Sequence, residues 1–362
     1  MTVADATSSA AAPAAARRGG RVVGALAGLA AVAIAVALFV NLGNLGLGLA
    51  PTALLVLAAV PVFAVGATVV RHISGRDREE HKEYPLGLSA PSLAYYCAFF
   101  VAPMCFLVLF ALSTRQGFAG YTYGFNLGNF SDALDGLYVE TFLRTLRTAG
   151  IGTLLIVLVG YPLAYWIARY APDGRRGVFL AMIIIPFWTS FLIRTYSFLI
   201  VLSPEFFLSD WLQTLKLTDG PLEVLNTTTA IQIGLVYNYL PLFVLPLYAT
   251  LERMDWRLVD AATDLGASQW AAFRQITVRL TAPGLLTGTL LVFIPMMGEY
   301  VIPLVLGGGR VDLIGNVIQR SFLEAQDYAL GSALALLVMG ALSFFVALYL
   351  YLSLRTEQEY DG

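Results

Sequence analysis

Repeated stretches of about twenty apolar residues, each bounded by charged or polar loops, constrain this chain most. A run such as "LAMIIIPFWTSFLIRTYSFLIVL" cannot be solvated as an irregular coil inside a bilayer. In lipid the helix satisfies its own backbone, and about 20 residues cross the hydrocarbon core. Eight segments qualify, at approximately 22–40, 49–70, 92–112, 148–168, 178–202, 229–251, 284–306 and 330–352. Composition agrees, with 58% apolar and 13% charged residues in 362, about half the charge of a soluble chain. The fold class expected is therefore all-α and membrane-integral. The first segment follows Arg17, Arg18 and Arg21 but is too long for a signal-peptide core, so it reads as a retained span.

The distribution of Lys and Arg sets the orientation. With the N-terminus inside, alternate loops place 15 of the 22 basic residues on the cytoplasmic side and 6 outside, with Arg194 within a span. That asymmetry puts both termini in the cytoplasm. Residues 1–21 read as a disordered cytoplasmic tail, 22–70 as an extra transmembrane hairpin and 71–91 as a solvated cytoplasmic linker. A six-span body then occupies 92–355, with longer outer loops at 113–147, 203–228 and 307–329. Cys97 and Cys105 lie roughly 12 Å apart on a helix, too far for a disulfide. His72 and His81 have no companions at metal-ligand spacing, so no metal site is expected.

One segment between spans is neither apolar enough to cross nor featureless: "VDAATDLGASQWAAFRQITVRLTAPG", residues 259–284. Asp255 can cap a helix carrying Leu258, Ala262 and Leu265 on one face. Gly266 supplies a left-handed stop. Ser268 can cap a second helix with Trp270, Phe273, Ile276 and Leu280 along one side, and Pro283 and Gly284 end it. Two readings of this helix–turn–helix stay open: a plug that docks in a groove on another protein, or an amphipathic hairpin lying on lipid headgroups.

The arrangement Asp260-Ala261-Ala262, three residues, Gly266, nine residues, Ile276 resembles the EAA loop of ABC-importer permeases, with Asp for Glu at 260, Val for Leu at 278 and Arg for Pro at 279. "PFWTSFLIRTY", "LPLFVLPLYATLERMDW", "LLVFIPMMGEYVIPLVLGGG" and "IGNVIQRSF" are similar to the spermidine/putrescine type of that family, over roughly residues 90–355. The resemblance implies a type I, MetI-like six-helix core in the bacterial inner membrane, to which the hairpin at 22–70 is an addition. It implies ATPase coupling through Asp260, Ala261, Ala262, Gly266, Ser268, Trp270 and Ile276 in a loop at about 253–283. It further implies a second related permease, a dimer of ATP-binding subunits, an external substrate-binding protein and a small cationic substrate, with no nucleic acid. No G-x-x-x-x-G-K-[ST] phosphate loop occurs, so this chain should bind no cofactor itself, ATP and Mg2+ belonging to the partner ATPase.

Charges within spans are expensive and point to function. Arg194 and Glu299 lie at one depth, each about 25 Å from the inner face. Glu299 could draw an ammonium group, with Trp188, Tyr196, Tyr237 or Tyr300 offering aromatic faces. Alternatively Glu299 and Arg194 neutralise each other, or form a pair that a polycation breaks. Two other function classes make different demands on the sequence. A stand-alone secondary transporter predicts ionisable relays or an inverted repeat, and a membrane enzyme predicts a clustered acid, base and nucleophile. Neither pattern is visible.

Overall fold

The computed structural model describes Tyr95 and residues 97–117, 120–215 and 220–358, with side chains to residue 347. The sequence expectations for 1–21, 22–70 and 71–91 lie outside the described residues. Two units divide the chain. The described part of one comprises residues 95–130 and 327–336, and that of the other residues 131–326 and 337–358.

In the first unit a π-helical turn, Cys97–Val101, leads into α1, Ala102–Ala111. The span expected at 92–112 is thus present in its second half as a π-turn followed by a short α-helix. A two-stranded antiparallel hairpin comes next, β1 Thr114–Gln116 and β2 Gly120–Thr122, with Arg115 opposite Tyr121. It is a small exception to the expected all-α class. Phe110, Tyr121 and Tyr328 form an aromatic cluster with ring centroids 5.4–5.9 Å apart, and Arg115 pairs with Asp327 at 3.1 Å.

The second unit begins within the short helix α2, Gly128–Ala133, and continues into α3, Gly136–Arg169. The Asp135 carboxylate accepts from the Gly136 amide and caps α3. That cap starts the helix twelve residues before the expected span, so the outer loop at 113–147 is shorter than the hydropathy suggested. At 34 residues α3 is about 50 Å long and overshoots a ~30 Å hydrocarbon core. Next come α4 (Arg176–Ile184), α5 (Phe191–Val201), the short helix α6 (Phe207–Thr214) and α7 (Thr228–Glu252). Two short helices, α8 (Arg257–Asp264) and α9 (Gln269–Leu280), precede α10 (Ala282–Met297). The chain closes with α11 (Val301–Leu306), α12 (Ile314–Leu323) and α13 (Tyr328–Gln358), the last beginning in the first unit.

Packing centres on α3, α7 and α10. Phe243 of α7 is fully buried, and its ring sits against two glycines. A Cβ on Gly160 of α3 would come within 2.6 Å of that ring, and one on Gly288 of α10 within 2.9 Å. Without a hydrophobic drive between helices in lipid, small residues are what let backbones approach this closely. Ile156, Leu247, Leu251, Met296 and Met297 complete the same core.

Two expected spans are not continuous. The segment 178–202 bends by 94° between α4 and α5. Pro186 lacks an N–H and opens a 3-10 turn, Ile185–Trp188, after which Thr189 and Ser190 are extended. The segment 284–306 breaks after Met297, where residues 298–300 leave the helix before α11 resumes. A further 67° bend at Thr281 separates α9 from α10. Among the described residues three helices are long and apolar enough to cross a membrane, or up to five if each bent pair counts once.

Candidate coupling loop and membrane-depth polar groups

The segment between α7 and α10 folds as two short helices, and three local signals shape it. The Asp255 carboxylate accepts from the Arg257 amide at 3.0 Å at the start of α8. Gly266 takes φ +93°, which L side chains rarely adopt, and its neighbours close the turn through Ala267 N–H to Ala262 C=O at 3.0 Å. The Ser268 hydroxyl accepts from the Ala271 amide at 3.2 Å and caps α9.

Within α9 the expected single stripe is corrected. Phe273–Thr277 is a π-turn, and its extra residue per turn rotates the rest of the helix about its axis. Ala272 and Thr277 are buried and Ile276 half-buried, whereas Trp270 (69% exposed) and Leu280 face outward. Leu258 and Leu265 (90% exposed) are also outward-facing. Ala261 is exposed and Ala262 half-buried.

Long-range contacts fix this pair of helices to the end of α3. Asp260 pairs with Arg169 at 2.6 Å, and the same guanidinium lies 4.9 Å from the ring centroid of Trp256. Phe273 packs edge-on to Tyr161 and Tyr165 at 5.6 and 5.4 Å, and stacks on Trp270. The Tyr161 hydroxyl bonds that of Thr281 at 2.9 Å, at the bend into α10. Arg169 and the α3 tyrosines give no signal in the sequence because they lie far from the loop along the chain, 91 residues for Arg169–Asp260 and 120 for Tyr161–Thr281. An Arg at the end of a span is by itself an ordinary flank.

Deeper in the spans, Arg194 and Glu299 are both buried, at 8% and 7% exposed, but they do not pair with each other. Arg194 donates to the Asn238 side-chain oxygen at 2.8 Å and to the Pro186 carbonyl at 3.0 Å, with its guanidinium 4.6 Å from the Phe187 ring centroid. Pro186 O also accepts from the Thr189 amide at 3.3 Å and the Thr189 hydroxyl at 2.7 Å, so the guanidinium joins a carbonyl that already closes the 3-10 turn. Asn238 in turn donates to Gly234 O, bridging α5 to α7.

Glu299 has its own partners. Its carboxylate accepts from the Val301 and Ile302 amides at 2.8 and 3.2 Å and from the Tyr239 hydroxyl at 2.5 Å. It therefore caps α11 at the break in the span. The loop before α12 is drawn to the same point: Asn316 donates to Tyr300 O at 2.8 Å, and a Cβ on Gly315 would strike Glu299 O and Gly298 O at 2.8 Å. The static Glu299–Arg194 pair is thus replaced by two separate bonded sets, and Tyr239 is the partner that sequence reasoning missed. Tyr239 faces Glu299, while Tyr237, two residues earlier on α7, faces outward. Trp188 (83% exposed), Tyr196 and Tyr300 are likewise exposed.

Comparison with known proteins fits this architecture. Residues 148–358 match the family described as binding-protein-dependent transport system inner membrane component. The spermidine/putrescine transport system permease protein PotB of Haemophilus influenzae is 36% identical over 250 residues, covering 68% of this chain and 87% of that protein. The protein of the same description from Escherichia coli is 39% identical over 245 residues, covering 67% and 89%. Among solved structures, a bacterial ABC transporter involved in the import of the acidic polysaccharide alginate superposes with a TM-score of 0.56 at 17% identity. That alignment covers 75% of this chain and 94% of the other. At that identity the similarity establishes the helical, MetI-like permease fold.

Proposed function

This chain belongs to the family of binding-protein-dependent transport system inner membrane components, and from that premise we propose that it is the permease subunit of an ATP-driven polyamine importer. The observation that carries the substrate class is the 36–39% identity to spermidine/putrescine permeases across most of their length. Spermidine and putrescine are flexible polycations, and exposed Trp188, Tyr196, Tyr237 and Tyr300 offer aromatic faces to such a ligand. Glu299 supports that surface by fixing the break between α10 and α11, since its oxygens are taken up by two amides and a hydroxyl.

Coupling is assigned to α8 and α9. They present Leu258, Leu265 and Trp270 outward for the groove of a separate ATP-binding subunit, which holds ATP and Mg2+. Asp260 sits beside this face, tied to α3 through Arg169. The excess of Lys and Arg supports a cytoplasmic position for α8, α9 and both termini. A second related permease completes the pathway, and an external binding protein delivers substrate.

Uptake of radiolabelled spermidine by proteoliposomes holding the whole importer, with ATP inside and the loaded binding protein outside, tests this reading. Uptake that needs both, and competition by putrescine, is the expected result. ATP hydrolysis that no polyamine-loaded binding protein stimulates overturns the substrate assignment.

A further inference from the structure

A groove of about 360 Å³ runs between the coupling-loop ends of α7 and α10. Pro246 and Thr250 of α7 and Arg253, which caps its end, line one wall, and Pro283, Gly284 and Thr287 line it from α10. Pro246, Thr250 and Arg253 are spaced i, i+4, i+7, so the groove extends roughly 10 Å along the helix from its end into the span. Its walls are apolar along that length. The Thr250 and Thr287 hydroxyls are turned to their own helices, donating to Pro246 O and Pro283 O at 3.0 and 2.8 Å.

One charge stands at the mouth. Arg253 is exposed and makes no ion pair among the described residues. It forms no ion pair with the neighbouring Glu252, whose carboxylate turns to the Tyr248 hydroxyl at 2.8 Å. The site is an open apolar groove that ends at an unpaired guanidinium. One turn of α-helix fills about 420 Å³, so the groove is too small to seat a partner helix.

We propose that this groove binds one anionic phospholipid, its phosphate at Arg253 and an acyl segment laid along the groove over the α7–α10 contact. A guanidinium on the route of a polycation would repel it, so the groove faces lipid and not the substrate path; the lipid-facing side and the inner-leaflet placement both rest on the function proposed above. Clusters of basic residues beside a span recognise anionic lipid by the same chemistry. Here the contact is a single charge with an apolar groove behind it.

The test uses the complete importer in nanodiscs without ATP or substrate, so its outcome does not depend on what is carried. Phosphatidylglycerol with a photoactivatable acyl chain should label peptides spanning residues 246–253 and 283–287. Arg253→Gln should lower that label roughly fivefold, and Arg253→Lys should retain it. Thr287→Phe, which fills the groove without changing charge, should abolish it, and decides the matter if Arg253→Gln does not assemble. Equal labelling by a zwitterionic phosphatidylcholine probe overturns the proposal. So does labelling that both variants leave intact, or labelling of the same peptides by a photoactivatable spermidine.

Discussion

At the scale of single residues, buried polar groups in this chain work as joints, and the energetics depend on who their partners are. The Glu299 carboxylate closes two backbone amides and a tyrosine hydroxyl at the break before α11. Glu299→Ala leaves those donors unsatisfied, and each buried orphan costs about 1–3 kcal/mol. A clear fall in the unfolding temperature of the purified complex is expected. Glu299→Gln keeps an acceptor at the amides and should lie close to wild type in stability. If both variants instead matched wild type in stability while losing transport, Glu299 would be a ligand for the cation and not a cap. Arg194 obeys the same logic: Arg194→Met removes the donor to Pro186 O and Asn238, and should loosen the 94° bend, read as faster proteolysis between α4 and α5.

At the scale of elements, the two short helices are the informative case, because much of them was legible in the sequence. Asp255, Gly266 and Ser268 occupy the capping and turn positions that their chemistry predicts, since caps and left-handed stops are decided by residues within a few positions of one another. The π-turn at Phe273–Thr277 was not legible, because "FRQIT" is compatible with an ordinary α-turn and only packing against Tyr161 and Tyr165 selects the wider one. The breaks at 189–190 and 298–300 were half visible. Prolines announced kinks, but the angle depends on Arg194 and Glu299 finding partners on other helices. Two measurements probe these elements. Gly266→Val forces a β-branched residue to φ +93° and should uncouple ATP hydrolysis from uptake at normal expression. A double-mutant cycle on Arg169 and Asp260 should give a coupling of about 1 kcal/mol or less, since both side chains are partly exposed. A coupling near zero would leave the aromatic contacts as the tether.

At the scale of the whole molecule, the hydropathy pattern gave the helical membrane class and the family resemblance gave the permease core. Periodicity alone could not show that two apparent spans are jointed. The topology has a direct check: Leu265→Cys, on an otherwise cysteine-free chain, should react with a membrane-impermeant maleimide only from the cytoplasmic side. Reaction from outside would invert the assignment of α8 and α9.

Phe243, lodged against Gly160 and Gly288, has a mechanical meaning for such a machine. Close-packed interiors resist shear, so three helices pinned through one ring travel as a single lever. On the coupling role proposed for α8 and α9, a stroke delivered there would move α3, α7 and α10 together, with bending confined to the breaks near residues 189, 281 and 299.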